Sequence, residues 1–235
     1  SILQQTFTDF ELILIDDAST DDTPSVVDQY SDPRLIRLRN DVNQGLAASL
    51  NRGLDTARGS LIARMDGDDI SAASRFEKQV AYLQTYPEIG VVGTNFQVID
   101  ETGTFDRGTF VPLWRGVIHW HLFFGNPLVH PSVMMRRELL EQVGGYDPQR
   151  RVAQDFDLWL RMGRITYFAN LAEPLLQYRL RHTSTTLKNL EQGERIIQDL
   201  VQEYVGEWLG RPVTSSVAAA LRGIALFPAA QRPTE

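Results

Sequence analysis

The 235-residue sequence contains no cysteine. Disulfide bonds and thiolate zinc sites are therefore excluded, and a chain without them suits a reducing compartment. The formal net charge is −7, so the chain lacks the basic face that a broad nucleic-acid footprint needs. An anionic ligand must then be held locally, by a few arginines, by backbone N–H groups or by a metal ion. We expect a cytoplasmic protein that binds no nucleic acid, with attachment to the cytosolic face of a membrane as an open alternative.

The sequence also lacks long apolar segments and two familiar nucleotide- and phosphate-handling motifs. No apolar run reaches the ~20 residues that span a bilayer. The pattern G-x-x-x-x-G-K-[ST] does not occur, which argues against a P-loop nucleotide hydrolase. The only lysines are Lys78, on a predicted helix, and Lys188, beyond the predicted core. A phosphoacceptor receiver domain needs a lysine at a strand end and is excluded as well.

Short apolar runs alternate with amphipathic segments along most of the chain. The clearest are strands at residues 11–15, 35–39 and 60–65 and a helix at residues 45–58. This alternation predicts an α/β fold with a mostly parallel central sheet flanked by helices. We expect one globular domain over residues 1–185, followed by a helical C-terminal extension over residues 186–235.

The two ends of the chain carry separate expectations. Residues 1–6 resemble the end of a helix that leads into the first predicted strand. We therefore expect a further strand and half a helix upstream of residue 1. The long polar helix predicted at residues 187–209 can pack on the core, form a homodimer or lie against a membrane surface, and packing on the core is the default.

Carboxylates follow two of the predicted strands at the point where each strand ends. Asp16 and Asp17 follow the first strand, and Asp66, Asp68 and Asp69 follow the third. Ligands bind beyond the carboxyl ends of strands in such sheets, so both acidic groups could line one crevice. Asp66 and Asp68 lean to the same side of the chain and would repel one another unless a cation lay between them. Mg²⁺ and Mn²⁺ prefer such oxygen ligands, completed by water and phosphate.

Each acidic group also has a plainer explanation. Asp69 can cap the next helix, where Asp is favoured. Residues 16–21 can form an Asx-rich turn before the helix that Pro24 opens. A helix cap does not account for three carboxylates at one strand end, so a divalent cation is the preferred interpretation there.

Four ordered blocks resemble family 2 of the inverting glycosyltransferases. The blocks are residues 10–21, residues 43–45 with 51–53, residues 65–69 and residues 154–161. A lone D-x-D is weak evidence, but four blocks in the family's order and spacing, over residues 1–182, are strong evidence. The resemblance implies a GT-A fold, Mn²⁺ or Mg²⁺ as cofactor, and inverting transfer of a sugar from a nucleotide-diphosphate donor. The acceptor would be a carbohydrate, lipid-linked or other hydroxyl compound, in the synthesis of a bacterial-type cell-surface polysaccharide or glycoconjugate.

The resemblance also implies roles for individual residues. Asp17, with Asp16 beside it, corresponds to the acidic pair that contacts the nucleotide's base and ribose. Asp66 and Asp68 correspond to the D-x-D motif, with Asp68 as the direct metal ligand and Asp66 facing the ribose and donor sugar. Asp155 corresponds to the catalytic base.

Basic residues complete the implied site. Arg179 and His182 correspond to a segment near the diphosphate, where a His or Arg in some members touches the metal or the phosphates. The position that often holds an Arg in the family is Leu50 here. Diphosphate contacts are therefore expected from Arg52 or Arg64.

The sequence departs from the family pattern in several ways. The family's opening strand is absent, and Gln154 replaces the usual Glu, which keeps hydrogen bonding but loses a charge. No Q-x-x-R-W block follows Asp155, which argues against a processive polysaccharide synthase. Sequence physics alone would leave Asp155 as an acid favoured at a helix N-terminus. A catalytically degenerate sugar-nucleotide-binding or scaffolding module is the remaining alternative.

Two aromatic features near the middle of the chain have less specific interpretations. Four side chains could form a sugar-stacking platform, although ordinary packing explains them equally well; they are Trp114, Trp120, Phe123 and Phe124. His130 is expected to be a loop histidine without a catalytic role.

Overall fold

The structure, a computed structural model, describes residues 1–181 and 190–226. The elements of the first half are a 3₁₀ helix at Ile2–Gln4, β1 (Leu12–Asp16), α1 (Thr23–Asp28), β2 (Leu35–Arg39), α2 (Leu46–Thr56), β3 (Leu61–Ala63), β4 (Ile70–Ser71) and α3 (Arg75–Thr85). The three strands and the helix predicted most clearly from the sequence are β1, β2, β3 and α2, so these predictions are confirmed.

The second half continues with longer strands and more helices. Its elements are β5 (Ile89–Ile99), β6 (Phe105–Gly108), α4 (Arg115–His121), a 3₁₀ helix at His130–Ser132, β7 (Met134–Arg136), α5 (Arg137–Gln142), α6 (Gln154–Met162), β8 (Tyr167–Arg179), α7 (Leu190–Leu209) and α8 (Ser215–Leu226). Strand β8 is a single strand that contains Pro174, and shifts in its register with β5 on both sides of Asn95 accommodate the proline.

The described strands form two sheets. β1 and β2 make a parallel pair, with Leu12 opposite Leu35, while the larger sheet has the order β3-β7-β5-β8-β4, with β6 beside β5. Only β5 and β8 are parallel in the larger sheet, and its other pairs are antiparallel. The α/β fold class is confirmed, but the pairing is mixed rather than mostly parallel. One reason is the short turn between β5 and β6, because strands joined by a tight turn run antiparallel.

A cavity of about 780 Å³ separates β1 from the larger sheet. Its walls include Ile13 and Ile15 of β1 and Leu61 and Ile62 of β3. Within the described part of the chain, β1 and β3 each have one hydrogen-bonded neighbour strand. The strand expected upstream of residue 1 stays a prediction.

The main hydrophobic core joins α6 to the C-terminal helices. Phe156 and Trp159 of α6 are fully buried, and Val201 and Val205 of α7 and Ala218 of α8 belong to the same cluster. Burial of each large apolar side chain contributes about 1.5–3 kcal/mol. The described part of the C-terminal extension therefore packs on the core, which was the default expectation for it. None of the described helices is long and apolar enough to cross a bilayer.

Candidate active site

Asp17, just after β1, is held by neutral hydrogen-bond donors. Its Oδ1 accepts from Asn40 Nδ2 at 2.7 Å and from the Gln44 N–H at 2.9 Å. Its Oδ2 accepts from the Gly45 N–H at 2.8 Å. Burial acts to raise the pKa of Asp17, but hydrogen bonds, led by that from Gln44, outweigh burial and hold the pKa below its ordinary value. Asp17 thus ties the loop before α2 to the end of β1, a contact that the sequence did not indicate.

Asp16 forms the turn after β1. Its side chain is buried, and Oδ1 accepts a hydrogen bond from the Ser19 N–H at 2.8 Å. Hydrogen bonds from Ser19 lower the pKa of Asp16, and Arg39 Nε lies 3.5 Å from its Oδ2. This geometry matches the Asx-turn explanation for Asp16, while the nucleotide contacts assigned to Asp16 and Asp17 stay predictions.

Asn40 connects several residues around Asp16 and Asp17, the first acidic cluster. It is almost fully buried, and its amide also donates to Ser49 Oγ at 2.9 Å. Arg52 on α2 donates to Asn40 Oδ1 and to the Arg39 carbonyl. Arg52 is therefore occupied in supporting the strand ends, and its predicted diphosphate contact stays a prediction.

Asp66, at the end of β3, is paired with a buried arginine. Both oxygens of Asp66 accept from Arg64, at 2.8 Å and 2.5 Å. The Arg64 side chain is 5% exposed, and its Nε has no hydrogen-bond partner in the described part of the chain. The positive charge beside Asp66 is thus a protein guanidinium, held in a fixed two-pronged geometry.

The next two carboxylates differ from Asp66 and from one another. Asp68 is partly exposed, and its Oδ2 lies 3.1 Å from Arg181 Nε. Asp69 is buried, and its Oδ1 accepts from the Arg179 N–H at 2.8 Å. Burial raises the pKa of Asp69 to about 7, and the charges of Asp66 and Asp68 add to this. The cap role suggested for Asp69 is wrong, because Asp69 is bonded to the end of β8 instead.

Arg179 joins residues 66–69, the acidic segment after β3, to the turn between β5 and β6. Its Nε donates to the Asp68 carbonyl at 2.8 Å, and its Nη1 donates to the carbonyls of Asp100 and Glu101 at 2.9 and 3.0 Å. These contacts fix the position of the acidic segment. The diphosphate contact expected of Arg179 stays a prediction, and His182 lies outside the described residues.

Asp155 lies in the first turn of α6, where helix acids are favoured. Its Oδ2 accepts from Asn126 Nδ2 at 2.7 Å. Burial raises the pKa of Asp155, and hydrogen bonds from the Phe156 N–H and Asn126, together with the charge of Arg64, offset part of that rise. The charges of Asp155 and Asp66 both act on buried Tyr146, as does that of Arg64. The structure therefore brings Asp155 and the acidic segment of β3 into one electrostatic environment.

Backbone strain marks both acidic regions. Ala18 and Ala153, with φ of 60° and 57°, are the non-glycine residues with positive φ among those described. Ala18 follows Asp17 and Ala153 caps the helix that carries Asp155. A left-handed alanine costs of order 1–3 kcal/mol and such strain clusters at functional sites, so these residues are a signal that sequence patterns do not reveal.

The carboxylate oxygens at the end of β3 fit a divalent-cation site in which the protein supplies one ligand. In residues 1–181 and 190–226, no group of three or more His, Asp or Glu side chains could hold a metal ion. Asp66 gives both oxygens to Arg64, whereas Asp68 has a partly exposed carboxylate paired with half-exposed Arg181. A single carboxylate completed by water and phosphate oxygens is a usual donor set for Mg²⁺. The metal roles predicted for Asp66, Asp68 and His182 stay predictions.

The aromatic residues divide between core and surface. Trp114 and Trp120 are 80% and 61% exposed, whereas Phe124 is buried. Phe123 packs against Trp120 and makes an edge-to-face contact with Trp208 of α7, so packing explains part of the suggested platform. His130 is buried, and its Nε2 is 2.8 Å from the Tyr146 hydroxyl; it is a core histidine rather than a loop residue exposed to an acceptor.

Comparison with known proteins decides the family. A sequence profile described as Glycosyl transferase family 2 matches residues 1–144. The chain belongs to this family. The profile covers β1 to α5 and ends before Asp155, so the assignment of Asp155 as the base does not rest on it.

Several curated relatives support the family assignment. EpsE of Bacillus subtilis is 40% identical over 194 residues, which cover 80% of this chain and 68% of EpsE. The O-antigen biosynthesis glycosyltransferase WbnJ of Escherichia coli is 34% identical, with 79% of this chain and 74% of WbnJ covered. The amylovoran biosynthesis glycosyltransferase AmsE of Erwinia amylovora is 30% identical, with 87% and 76% covered. The predicted enzyme class, glycosyltransferase, is confirmed.

Solved structures confirm the fold. The structure of S. aureus TarS 1-349 in complex with UDP-GlcNAc has a TM-score of 0.69 and 16% identity, covering 96% of this chain. The chain spans 65% of the TarS 1-349 chain in that structure. A second TarS structure, in complex with UDP, has a TM-score of 0.66.

Proposed function

We propose that this family 2 glycosyltransferase moves a sugar from a nucleotide-diphosphate donor to an acceptor hydroxyl in a metal-dependent, inverting reaction. One observation carries the proposal: Arg64, bonded to Asp66 at the end of β3, also acts electrostatically on Asp155 at the start of α6. A group of donor-side acids and a separate carboxylate with a raised pKa thus lie in one site. The TarS complexes with UDP and UDP-GlcNAc support a nucleotide-sugar donor.

The biological setting is proposed from relatives. Two of them are named for amylovoran and O-antigen biosynthesis, which supports a role in the synthesis of a bacterial cell-surface polysaccharide or glycoconjugate. Cytoplasmic donors and a growing, carrier-linked acceptor would place the reaction at the cytosolic face of a membrane.

Asp155 is the proposed general base. An acceptor hydroxyl attacks the anomeric carbon only if its proton has somewhere to go, and a carboxylate within hydrogen-bond reach can accept it. The raised pKa of Asp155 makes its ionised form a stronger proton acceptor. Attack from the face opposite the leaving nucleotide, in one displacement, inverts the anomeric centre.

The acidic segment after β3 is the proposed donor side. When bound, Mn²⁺ or Mg²⁺ neutralises the negative charge that develops on the leaving diphosphate. Asp68 would hold the cation, with His182 as a further candidate ligand. Asp66, kept in place by Arg64, would face the ribose and sugar. Arg179, which is bonded to the Asp68 carbonyl, and Arg52, which is bonded to Asn40 near the end of β1, stay candidates for phosphate contacts.

The donor side is tested by Asp68→Ala in the full chain, with Asp199→Ala on the exposed surface of α7 as the matched control. Calorimetry with UDP-GlcNAc and Mn²⁺ should show metal-dependent binding that Asp68→Ala removes and Asp199→Ala retains. Donor hydrolysis should fall by about 100-fold or more in Asp68→Ala, and proton NMR of the wild-type reaction should show the sugar released with inverted anomeric configuration.

Four outcomes would count against the proposal. Binding that is independent of Mn²⁺, or wild-type turnover in Asp68→Ala, would remove the metal role. Release of the retained anomer would remove the single displacement. Tight metal-dependent binding with no turnover, for every nucleotide sugar and acceptor offered, would favour the catalytically degenerate binding module.

A further inference from the structure

The loop between α4 and the second 3₁₀ helix carries the side chain that contacts Asp155. Asn126 Nδ2 donates to Asp155 Oδ2 at 2.7 Å. Asn126 Oδ1 accepts from the Leu128 N–H at 3.1 Å. The second bond fixes which way round the Asn126 amide lies, since only the oxygen can accept from an N–H. The amide donor is thus aimed at the carboxylate by its own loop.

This loop is held in place from two directions. Asn170, a buried residue of β8, donates from Nδ2 to the carbonyls of Pro127 and Pro112, at 3.2 and 2.8 Å. Arg222, a buried residue of α8, donates to the Phe124 carbonyl at 3.3 Å. The large sheet and the C-terminal extension therefore both support the loop, and a rigid support is what an orienting contact requires.

We propose that Asn126 is a positioning residue for Asp155, which orients the carboxylate toward the acceptor hydroxyl and stabilises its ionised form. The inference rests on the proposed function, in which Asp155 is the base. Asn126 itself is not expected to touch the reacting atoms. None of the four motif blocks identified in the sequence includes this residue.

Other groups that act on Asp155 do not replace this contact. From β3, the charge of Arg64 lowers the pKa of Asp155, and from the α6 backbone the Phe156 N–H does the same. Tyr146, from the segment before α6, is buried with a raised pKa and stays neutral. Among the described residues, Asn126 is therefore the uncharged side chain that is bonded directly to the Asp155 carboxylate. Its removal takes away one hydrogen bond and changes no charge.

The test is the pH dependence of kcat/KM for Asn126→Ala and Asn126→Asp. A hydrogen bond donated to the ionised form lowers a pKa, so its loss should move the acid limb of the profile upward, by about one pH unit. Asn126→Asp keeps the size of the side chain but faces one carboxylate with another, which should move the limb further upward. The pH of the acid limb should thus increase in the order wild type, Asn126→Ala, Asn126→Asp.

Two further readouts separate positioning from mere structure. At a pH well above the acid limbs of the wild type and of Asn126→Ala, kcat of the variant should stay reduced by about tenfold, because deprotonation of Asp155 does not restore its orientation. KM for the nucleotide sugar should stay within about twofold of wild type, since the donor side is untouched. The control is Gln149→Ala, which removes another exposed amide side chain, in the segment before α6. This variant should leave both the pH of the acid limb and kcat unchanged.

The contradicting outcomes are distinct. An acid limb at the wild-type pH in both Asn126 variants would overturn the positioning role. If Asn126→Ala does not fold, as judged by circular dichroism, the nearly isosteric Asn126→Asp decides the question alone. Wild-type activity in Asp155→Asn would instead overturn the proposed function, whatever the Asn126 variants do.

Discussion

The two acidic clusters at the ends of β1 and β3 look alike in sequence but are neutralised in different ways. Asp17 is bonded to an amide and to two backbone N–H groups, and its pKa is lowered. Asp66 and Asp68 are paired with arginines, and the pKa of Asp69 is raised to about 7. Neutral donors give Asp17 a structural role, whereas the second cluster holds paired charges that a bound phosphate or cation can rearrange.

The largest expected effect comes from removing the charge partner of the second cluster. Arg64→Met should lower the free energy of unfolding by about 2.5 kcal/mol, because it removes a buried guanidinium and leaves Asp66, which is 35% exposed and partly hydrated, without its charge partner. The control Arg107→Met removes an exposed pair with Asp106 and should cost less than about 1 kcal/mol. Urea unfolding measures both. Equal small losses would show that Arg64 does not neutralise this cluster.

An intermediate effect is expected in the first cluster. Asp17→Asn places an amide N–H₂ either where the Gly45 N–H now donates or where Asn40 and the Gln44 N–H now donate, so at least one donor loses its acceptor. The free energy of unfolding should fall by about 2 kcal/mol, as measured in urea at pH 7. The exposed control Asp199→Asn should stay within about 0.5 kcal/mol of wild type. A loss no greater than that of the control would remove the structural role of Asp17.

The smallest effect, and one of opposite sign, is expected for Asp69→Asn. Because the folded-state pKa of Asp69 is raised from 3.8 to about 7, its stabilising contribution is fully present below pH 3.8 and is lost as the pH rises through about 7. Asp69→Asn removes this dependence and keeps an acceptor for Arg179. At pH 8 in EDTA the variant should be more stable than wild type by about 1 kcal/mol, since an unpartnered buried amide offsets part of the gain.

The pH series that checks this prediction compares urea unfolding of both proteins from pH 4 to pH 8; the difference should grow up to about pH 7 and level off above it. Parallel curves would mean that Asp69 titrates in the folded protein as it does in the unfolded chain. Such a result would remove the raised pKa that distinguishes the second acidic cluster from the first.

Local patterns in the sequence were sufficient for β1, β2, β3 and α2, because apolar periodicity and turn residues lie within one short window. They also placed Asp155 in the first turn of α6. The sheet pairing was less accessible, since the antiparallel contacts of β7 join segments that are far apart in sequence.

The partners of the site residues were beyond the reach of sequence patterns. Asp69 looked like a helix cap, but its partner Arg179 is 110 residues away. Asn40 and Asn126 belong to no recognisable motif, and each becomes significant only through a carboxylate that the fold brings to it. Arg64 was expected to contact a phosphate, and the structure shows that it is bonded to Asp66.

Proton transfer is assigned to Asp155 and donor binding to the segment after β3. A side-by-side assay of Asp155→Asn in the full chain separates the two roles, with sugar transfer or donor hydrolysis on one hand and Mn²⁺-dependent UDP-sugar binding on the other. We expect turnover to fall by at least about 1,000-fold while the dissociation constant stays within about threefold of wild type. Wild-type-like turnover, or loss of nucleotide binding together with turnover, would contradict this assignment.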